Sequence, residues 1–373
     1  MPKDKNIPST MHAVLLTRHG GPAALQYVDD APVPAPGEGE VLIEVTACGM
    51  NNTDIWVREG AYGTDDDPNA TASWRRGSSE DTLQFPRIQG ADTVGRIVDA
   101  GPGVGRCRIG ERVMIDFSIY NGDGLSLIDI DYFGHGRDGG YAEYMVVPAE
   151  QAHCSRTPMS DAELATFCCA YLTGEHMLDR AGLKAGETVL ITGASGGVGS
   201  GLIQLARARG AIPYAICGAN KAPAVKAIGA EAVIAREDGN LLDAVPQAMN
   251  GQPVDVVADL VAGNIFKDLI NLIRPEGRYT TAGAIAGPVV EMDLRTVYLK
   301  HLTIHGSSQG TRTAFKRLHG YIEDGRISPL LWQTYPLSKI NEAQADFKSK
   351  GYVGKLVMQP DAKWQPVEPW LKN

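Results

Sequence analysis

The run Val189-Leu-Ile-Thr-Gly-Ala-Ser-Gly-Gly-Val-Gly-Ser200 has the residue types of a pyrophosphate cradle. Glycine lets a turn be tight and lets backbone approach a diphosphate, and the start of a following helix offers unpaired N–H groups at a positive dipole end. Ala194, Ser195, Gly196, Gly197, Val198 and Gly199 would form that cradle. The chemistry is dinucleotide binding, with hydride transfer by the nicotinamide as its usual use. A cradle for NAD places a carboxylate at the end of the second strand, about 20 residues past the glycines, on the ribose hydroxyls. Here that strand ends in Ile216-Cys-Gly-Ala-Asn-Lys221 without an acid, and Gly218 and Asn220 leave room for a 2′-phosphate. NADPH is the expected cofactor.

Glycine spacing of this kind also occurs in plain strand-to-helix connections, so the flanking elements matter. Glu187-Thr-Val-Leu-Ile191 reads as a buried strand, and Leu202, Ile203, Leu205 and Ala206 recur at helical spacing beyond the turn. From Gly186 to about Gly306, apolar runs at Val189–Thr192, Ile212–Ile216, Ala232–Ile234, Val254–Ala258, Arg278–Ala282 and Leu302–His305 alternate with helical stretches at Ala222–Ile228, Leu241–Met249 and Ile265–Ile273. That alternation predicts a doubly wound parallel sheet. Pro213 removes a ladder donor, so it is expected near a strand start or a bulge. Before residue 150 the pattern changes to short strands at Met11–Leu16, Val41–Ala47, Val94–Val98 and Tyr144–Val147, separated by glycine, proline and aspartate. An antiparallel β domain follows from that, joined near Cys154–Pro158 to a helix that Ser160 or Asp161 caps. Tyr62–Leu83 and Tyr120–Gly140 read as irregular loops.

The chain has 373 residues, enough for about two domains, with 43% hydrophobic and 21% charged residues. A formal charge of −9 argues against a nucleic-acid-coating protein. The N-terminus lacks the apolar stretch of a secretory signal, and no segment reaches the length of a membrane span. Six scattered cysteines without a Cys-x-x-Cys pair suggest neither a disulfide framework nor a four-cysteine zinc lobe, so a reducing cytoplasm is the simplest compartment.

Ordered landmarks then show a resemblance. They are Pro32-Val-Pro-Ala-Pro-Gly37 leading into Glu40-Val-Leu-Ile43, Ala47-Cys-Gly-Met-Asn-Asn-Thr-Asp54, Gly90-Ala-Asp-Thr-Val-Gly95, Gly110-Glu-Arg-Val113, Asp138-Gly-Gly-Tyr-Ala-Glu-Tyr144, the glycine turn, and Gly354-Lys-Leu-Val357. The chain resembles the medium-chain dehydrogenase/reductase family over nearly its full length, and most closely the zinc-free quinone oxidoreductase branch. The resemblance implies an α/β chain with a GroES-like β-rich catalytic domain at 1–155 and 311–373 around a Rossmann cofactor domain at 156–310. It also implies a homodimer or homotetramer acting on a small molecule.

The zinc alcohol dehydrogenases of the family place a cysteine where Asn51 stands and a His-Glu pair where Ala91-Asp92 stands; their third catalytic ligand falls at Cys169. An amide and a methyl group cannot replace two zinc ligands, so no metal is expected here. Ala194, where the alcohol dehydrogenases usually have glycine, points to the same zinc-free branch. Polarisation of a substrate oxygen then falls to hydrogen-bond donors. By the same resemblance Asn51, Asp54, Trp56 and Tyr62 occupy the substrate-pocket register. Asn51 and Tyr62 are the candidate donors, Thr53 matches the proton-relaying hydroxyl of the alcohol dehydrogenases, and Asp54 reads better as a structural carboxylate. Lys221 falls where the family carries a lysine near the adenosine ribose, and Arg236 replaces a family tyrosine and could pair with a phosphate. Thr173 and the turns Asp259–Gly263 and Ala282–Ala284, with Gly283, should line the rest of the cofactor cleft.

The expected function is NADPH-dependent hydride transfer to a quinone or an α,β-unsaturated carbonyl. A zinc-assisted alcohol dehydrogenase with an altered metal site and a non-catalytic NADPH-binding protein are the alternatives.

Overall fold

Glu40–Gly49 buries Val41, Leu42, Ile43, Val45 and Cys48, a pattern that lets it run through the middle of a packed sheet. It pairs antiparallel with Asp92–Ala100, Tyr144–Pro148 and Lys355–Gln359. In spatial order the seven-stranded sheet runs Ala152–Cys154, Arg112–Ile115, Asp92–Ala100, Glu40–Gly49, Lys355–Gln359, Leu331–Pro336, with Tyr144–Pro148 off this path. A three-stranded sheet of Leu25–Pro32, Thr10–Leu16 and Arg87–Ile88 accompanies it. Ile43, Ile97, Val113, Ile115 and Phe133 pack the core of this unit, each 0% exposed. Ser160 caps Asp161–Leu164, its side chain accepting from the Glu163 N–H, as its place before the helix predicts.

The coordinates are a computed structural model that describes residues 7–61, 83–120, 130–237 and 239–371. They divide into two units, one made of Met1–Cys169, Pro329–Gly351 and Lys355–Asn373, the other of Ala170–Ser328 with Tyr352–Gly354.

The second unit is built on six parallel strands in the order Ala232–Ala235, Ile212–Cys217, Thr188–Ile191, Val254–Asp259, Ile273–Thr281, Thr303–Gly306. That is the 3-2-1-4-5-6 order of a dinucleotide-binding sheet. Thr188–Ile191 is wholly buried, which is why it reads as a continuous apolar run. Pro213 is the second residue of its strand, opposite Val189. Ile273, expected to close a helix, instead opens the strand that runs to Thr281; the helix itself is Phe266–Leu272. Packing against the sheet overrides the helical spacing there, since Ile273 belongs to the same buried cluster as Leu190, Val257 and Tyr279.

A buried charge cluster ties this unit's helices together. Glu175 on Cys168–Arg180 has a fully buried side chain and accepts from Arg209 at 2.6 Å and Arg317 at 2.5 Å. Asp179, one turn on, takes the second arm of Arg317 at 2.5 Å. No helix among the described residues is long and apolar enough to cross a membrane. All six cysteines are free thiols.

Candidate active site

Helix Asn52–Glu59 begins at Asn51 and ends at Gly60, whose φ of 72° is the left-handed stop that glycine adopts without strain. Its start is fixed by Asp54, whose Oδ2 accepts from the Asn51 N–H at 2.8 Å and from the Tyr141 hydroxyl at 2.7 Å. Gln89 Nε2 donates to the Asp54 carbonyl oxygen at 2.9 Å. Asp54 is thus a structural carboxylate that places Asn51. Burial pushes its pKa up to about 7, against the pull of the Asn51 N–H and the Tyr141 hydroxyl. The folded chain therefore holds a proton on Asp54 that the unfolded chain releases above about pH 4. The group's contribution to stability is fully present below that pH and is lost as pH rises through 7, by about 4 kcal/mol in all. We expect Tm to fall between pH 5 and pH 8 by several degrees more in the parent chain than in Asp54→Asn; equal slopes would remove Asp54 as the cause.

Asn51 has its amide oxygen 2.5 Å from the Lys355 Nζ. The same ammonium donates to Asp92 Oδ2 at 3.1 Å, and Asp92 Oδ1 accepts from the Cys169 N–H at 2.7 Å. Asn51, Asp92 and Lys355 are 7%, 0% and 3% exposed. Asn51 and Asp92 therefore both face one lysine. Zinc does not fit this donor set: the oxygens that would have to face a divalent ion face an ammonium, and one of them is a neutral amide. Among the described residues no group of three His, Cys, Asp or Glu is arranged for a metal.

Thr53, in the first turn of the helix, has its Oγ1 2.7 Å from the Tyr132 hydroxyl. The Tyr132 ring stacks on His135 at 5.3 Å, and His135 Nδ1 lies 2.9 Å from Asp131 Oδ1. Tyr132 is a site phenol that sequence reasoning missed, because it lies in the irregular stretch between Tyr120 and Gly140 where no periodicity marks it. The expected phenol, Tyr62, lies outside the described residues. Trp56 is half-buried on the same helix as Thr53.

In the other unit, Gly196 is the N-cap of helix Gly197–Ala208 and no side chain caps the helix. The first helical bond runs from the Ser200 N–H to the Gly196 carbonyl, so the N–H groups of Gly197, Val198 and Gly199 have no helical partner. Ala194, fully buried, donates its N–H to the Ile216 carbonyl, and the Ser195 backbone carries the chain into the helix. A Cβ on Gly199 would stand 2.3 Å from the Gly193 carbonyl oxygen, so only glycine fits. These residues fit a bound diphosphate.

The turn after Val254–Asp259 is held by buried Asp259, which accepts from Thr192 Oγ1 and the Tyr279 hydroxyl, both at 2.5 Å, and from the Val261 N–H at 2.9 Å. Ala262 there has φ 53°. Thr281 Oγ1 donates to the Gly283 carbonyl at 3.1 Å, and Thr173 is 9% exposed on its helix.

Around Gly218 the structure adds a residue that the sequence left out. Glu237, just past strand Ala232–Ala235, accepts from the Ala219 N–H at 3.0 Å and from Arg236 Nε at 2.9 Å. A Cβ on Gly218 would lie 3.5 Å from Arg236 Nη2 and 3.8 Å from Glu237 Oε1. The strand that ends at Cys217 carries no acid, yet its neighbour delivers one to the same turn. Arg236 hydrogen-bonds that acid and holds it below the usual carboxylate range, while burial lowers the pKa of Lys221.

Residues 37–158 match the Alcohol dehydrogenase GroES-like domain and residues 197–324 match the family described as Zinc-binding dehydrogenase. Quinone oxidoreductase of Rattus norvegicus is 28% identical over 93% of this chain and 97% of its own length. A crystal structure from Sinorhizobium meliloti 1021, provisionally described as an alcohol dehydrogenase, is 66% identical with a TM-score of 0.91 over 95% of this chain and 98% of that one. A cobalt- and zinc-bound thermostable alcohol dehydrogenase from Pyrobaculum aerophilum is 32% identical, with a TM-score of 0.79 over 94% of this chain and 100% of that one.

Proposed function

The chain is an oxidoreductase of the medium-chain dehydrogenase/reductase family, and we propose that it uses NADPH to reduce a quinone or an α,β-unsaturated carbonyl. The observation that carries this reading is a donor site built without metal ligands: Asn51 anchored by Lys355, beside the hydroxyl pair Thr53 and Tyr132. A bound nicotinamide supplies the hydride. As hydride reaches the acceptor carbon, negative charge grows on the acceptor oxygen, and the Asn51 Nδ2 group is the donor that meets it. The balancing proton passes from Tyr132 through Thr53, a hydroxyl pair already at hydrogen-bond distance. Tyr62 keeps its place in the proposal as a second donor.

The glycine turn from Ala194 to Gly199, with Thr173 and Gly283, holds the dinucleotide. Among the described residues Lys221 and Arg236 stand against one acid, Glu237, beside Gly218, and two cations there support a 2′-phosphate.

An open sheet edge supports a homo-oligomer. Thr303–Gly306 is the last strand of the parallel sheet, and Ile304, Leu294, Tyr298 and Leu299 nearby are 41–69% exposed. The free thiols support a reducing compartment.

The test is oxidation of NADPH and NADH against quinones, enones, enals and simple aldehydes. We expect turnover of a quinone or enone with a preference for NADPH of about tenfold or more, worth about 1.4 kcal/mol, and a smaller preference in Lys221→Ala. Turnover of aldehydes alone would return the chain to the alcohol dehydrogenases. Tight cofactor binding without turnover of any acceptor would make it a binding protein.

A further inference from the structure

We propose that Lys355 is a positioning residue of this site: its buried ammonium, paired with Asp92, fixes the orientation of Asn51. The consequence for the acceptor rests on the function proposed above; the orientation itself does not.

An amide side chain presents either an oxygen or an NH2 group to a given neighbour, and rotation exchanges them. Lysine has three N–H donors and no acceptor, so at 2.5 Å it must face the Asn51 oxygen. The amide oxygen is thereby engaged, and only the donor end remains. Among the described residues the donor end has one contact, Nδ2 to the Gly49 carbonyl, long at 3.5 Å, and the second N–H has none. An acceptor oxygen gaining negative charge requires a donor there and is repelled by a carbonyl.

The lysine is itself held in place. It opens strand Lys355–Gln359, whose five residues are all buried, and its side chain is 4% exposed. A lone ammonium at that depth would be costly; Asp92, whose side chain is fully buried, supplies the counter-charge and is pinned by the Cys169 N–H. Asn51, Asp92 and Lys355 come from three separate segments, more than 260 residues apart at the widest pairing of lysine and acid, and meet on one cation. Lys355 is a positioning residue, acting on the acceptor through Asn51.

Two measurements test this. Protein purified without chelator is expected to hold less than about 0.1 metal ion per chain, since a tetrahedral seat needs ligands this one lacks; one zinc per chain bound at Asn51 and Asp92 overturns the proposal. The second measurement uses K355M/D92N, which removes both charges together and so leaves no lone buried ion. In its crystal structure the Asn51 side chain is expected to leave its parent rotamer; an unchanged rotamer overturns the proposal whether or not the proposed function holds. With an acceptor that the parent enzyme reduces, kcat is expected to fall about tenfold or more, the scale of a lost donor to a developing oxyanion, with cofactor affinity unchanged. Asn51→Ala on that background should then cost less than about twofold, because the amide is already misplaced. Lys355→Arg, which keeps the charge and the donors, should recover most of the rate. A folded K355M/D92N with parental kcat, or an Asn51→Ala cost that is the same in both backgrounds, counts against the role of Lys355. If the parent reduces no acceptor, the proposed function fails, and metal content and the Asn51 rotamer still decide the status of Lys355.

Discussion

Gly199→Ala loses nicotinamide-cofactor binding. The new Cβ would stand 2.3 Å from the Gly193 carbonyl oxygen, 2.7 Å from Ala194 Cα and 2.8 Å from the Gly193 carbonyl carbon. All three are backbone atoms, so no side chain can swing aside. The turn they belong to is closed by the Gly196 N–H on the Gly193 carbonyl and by the Ala194 N–H on the Ile216 carbonyl, and Gly193 already sits at φ 57°. Relief requires the helix start to move away from the strand, which carries the free N–H groups of Gly197 and Val198 out of register with a diphosphate. Loss of about 100-fold in affinity, or about 2.7 kcal/mol, is expected by titration of cofactor fluorescence. Gly196→Ala is the contrast: its Cβ meets the Gly193 oxygen at an ordinary 3.4 Å and its φ of −80° suits any residue. That variant should keep the parental Tm, so any loss of affinity reports crowding of the phosphates alone. Parental affinity in Gly199→Ala would show that the diphosphate is not held at this turn.

Glu175→Gln is expected to lower Tm by about 6–12 °C. Glu175 is the buried acid on which Arg209 and Arg317 converge, so its neutralisation leaves two guanidinium groups with a shared charge missing. Breaking a buried pair by removing one partner costs about 3–5 kcal/mol. The lower end applies, since Asp179 still bonds both arginines and Arg317 is partly exposed. At about 2–4 °C per kcal/mol for a unit of this size, the Tm range follows. Arg317→Met in the Glu175→Gln background should recover part of the loss, because one unpaired cation is then gone. A Tm change under about 2 °C would mean that water already screens the cluster.

The sequence carried the fold where physics is local. Helix Ala222–Ile228 and the strand at Thr188–Ile191 lie where apolar spacing puts them, within a residue, because the helix is set by one buried face and the strand by burial on both. The glycine turn was legible for the same reason: its steric demand falls on residues six positions apart. Ile273 was misread because its partners are in other strands. The site was legible only in its local half. Asn51, Thr53 and Asp54 share one helix start. Lys355 stands 304 residues from Asn51, and nothing near it in sequence announces a partner. Its one signal was a lysine at the head of a strand that continues Leu-Val-Met-Gln, where burial of charge requires an acid somewhere. Glu237 was hidden by a topological fact: adjacent parallel strands end at the same edge, so an acid on either one reaches the same turn.

Lys355 also changes what it means for this protein to be complete. A metal-dependent enzyme leaves synthesis unfinished and exists as loaded and empty fractions whose ratio follows supply, competing ions and chelators. A charge carried by the polypeptide arrives with translation and folding. On the proposal above, every folded copy has the same cation beside Asn51, and its rate does not follow the supply of zinc.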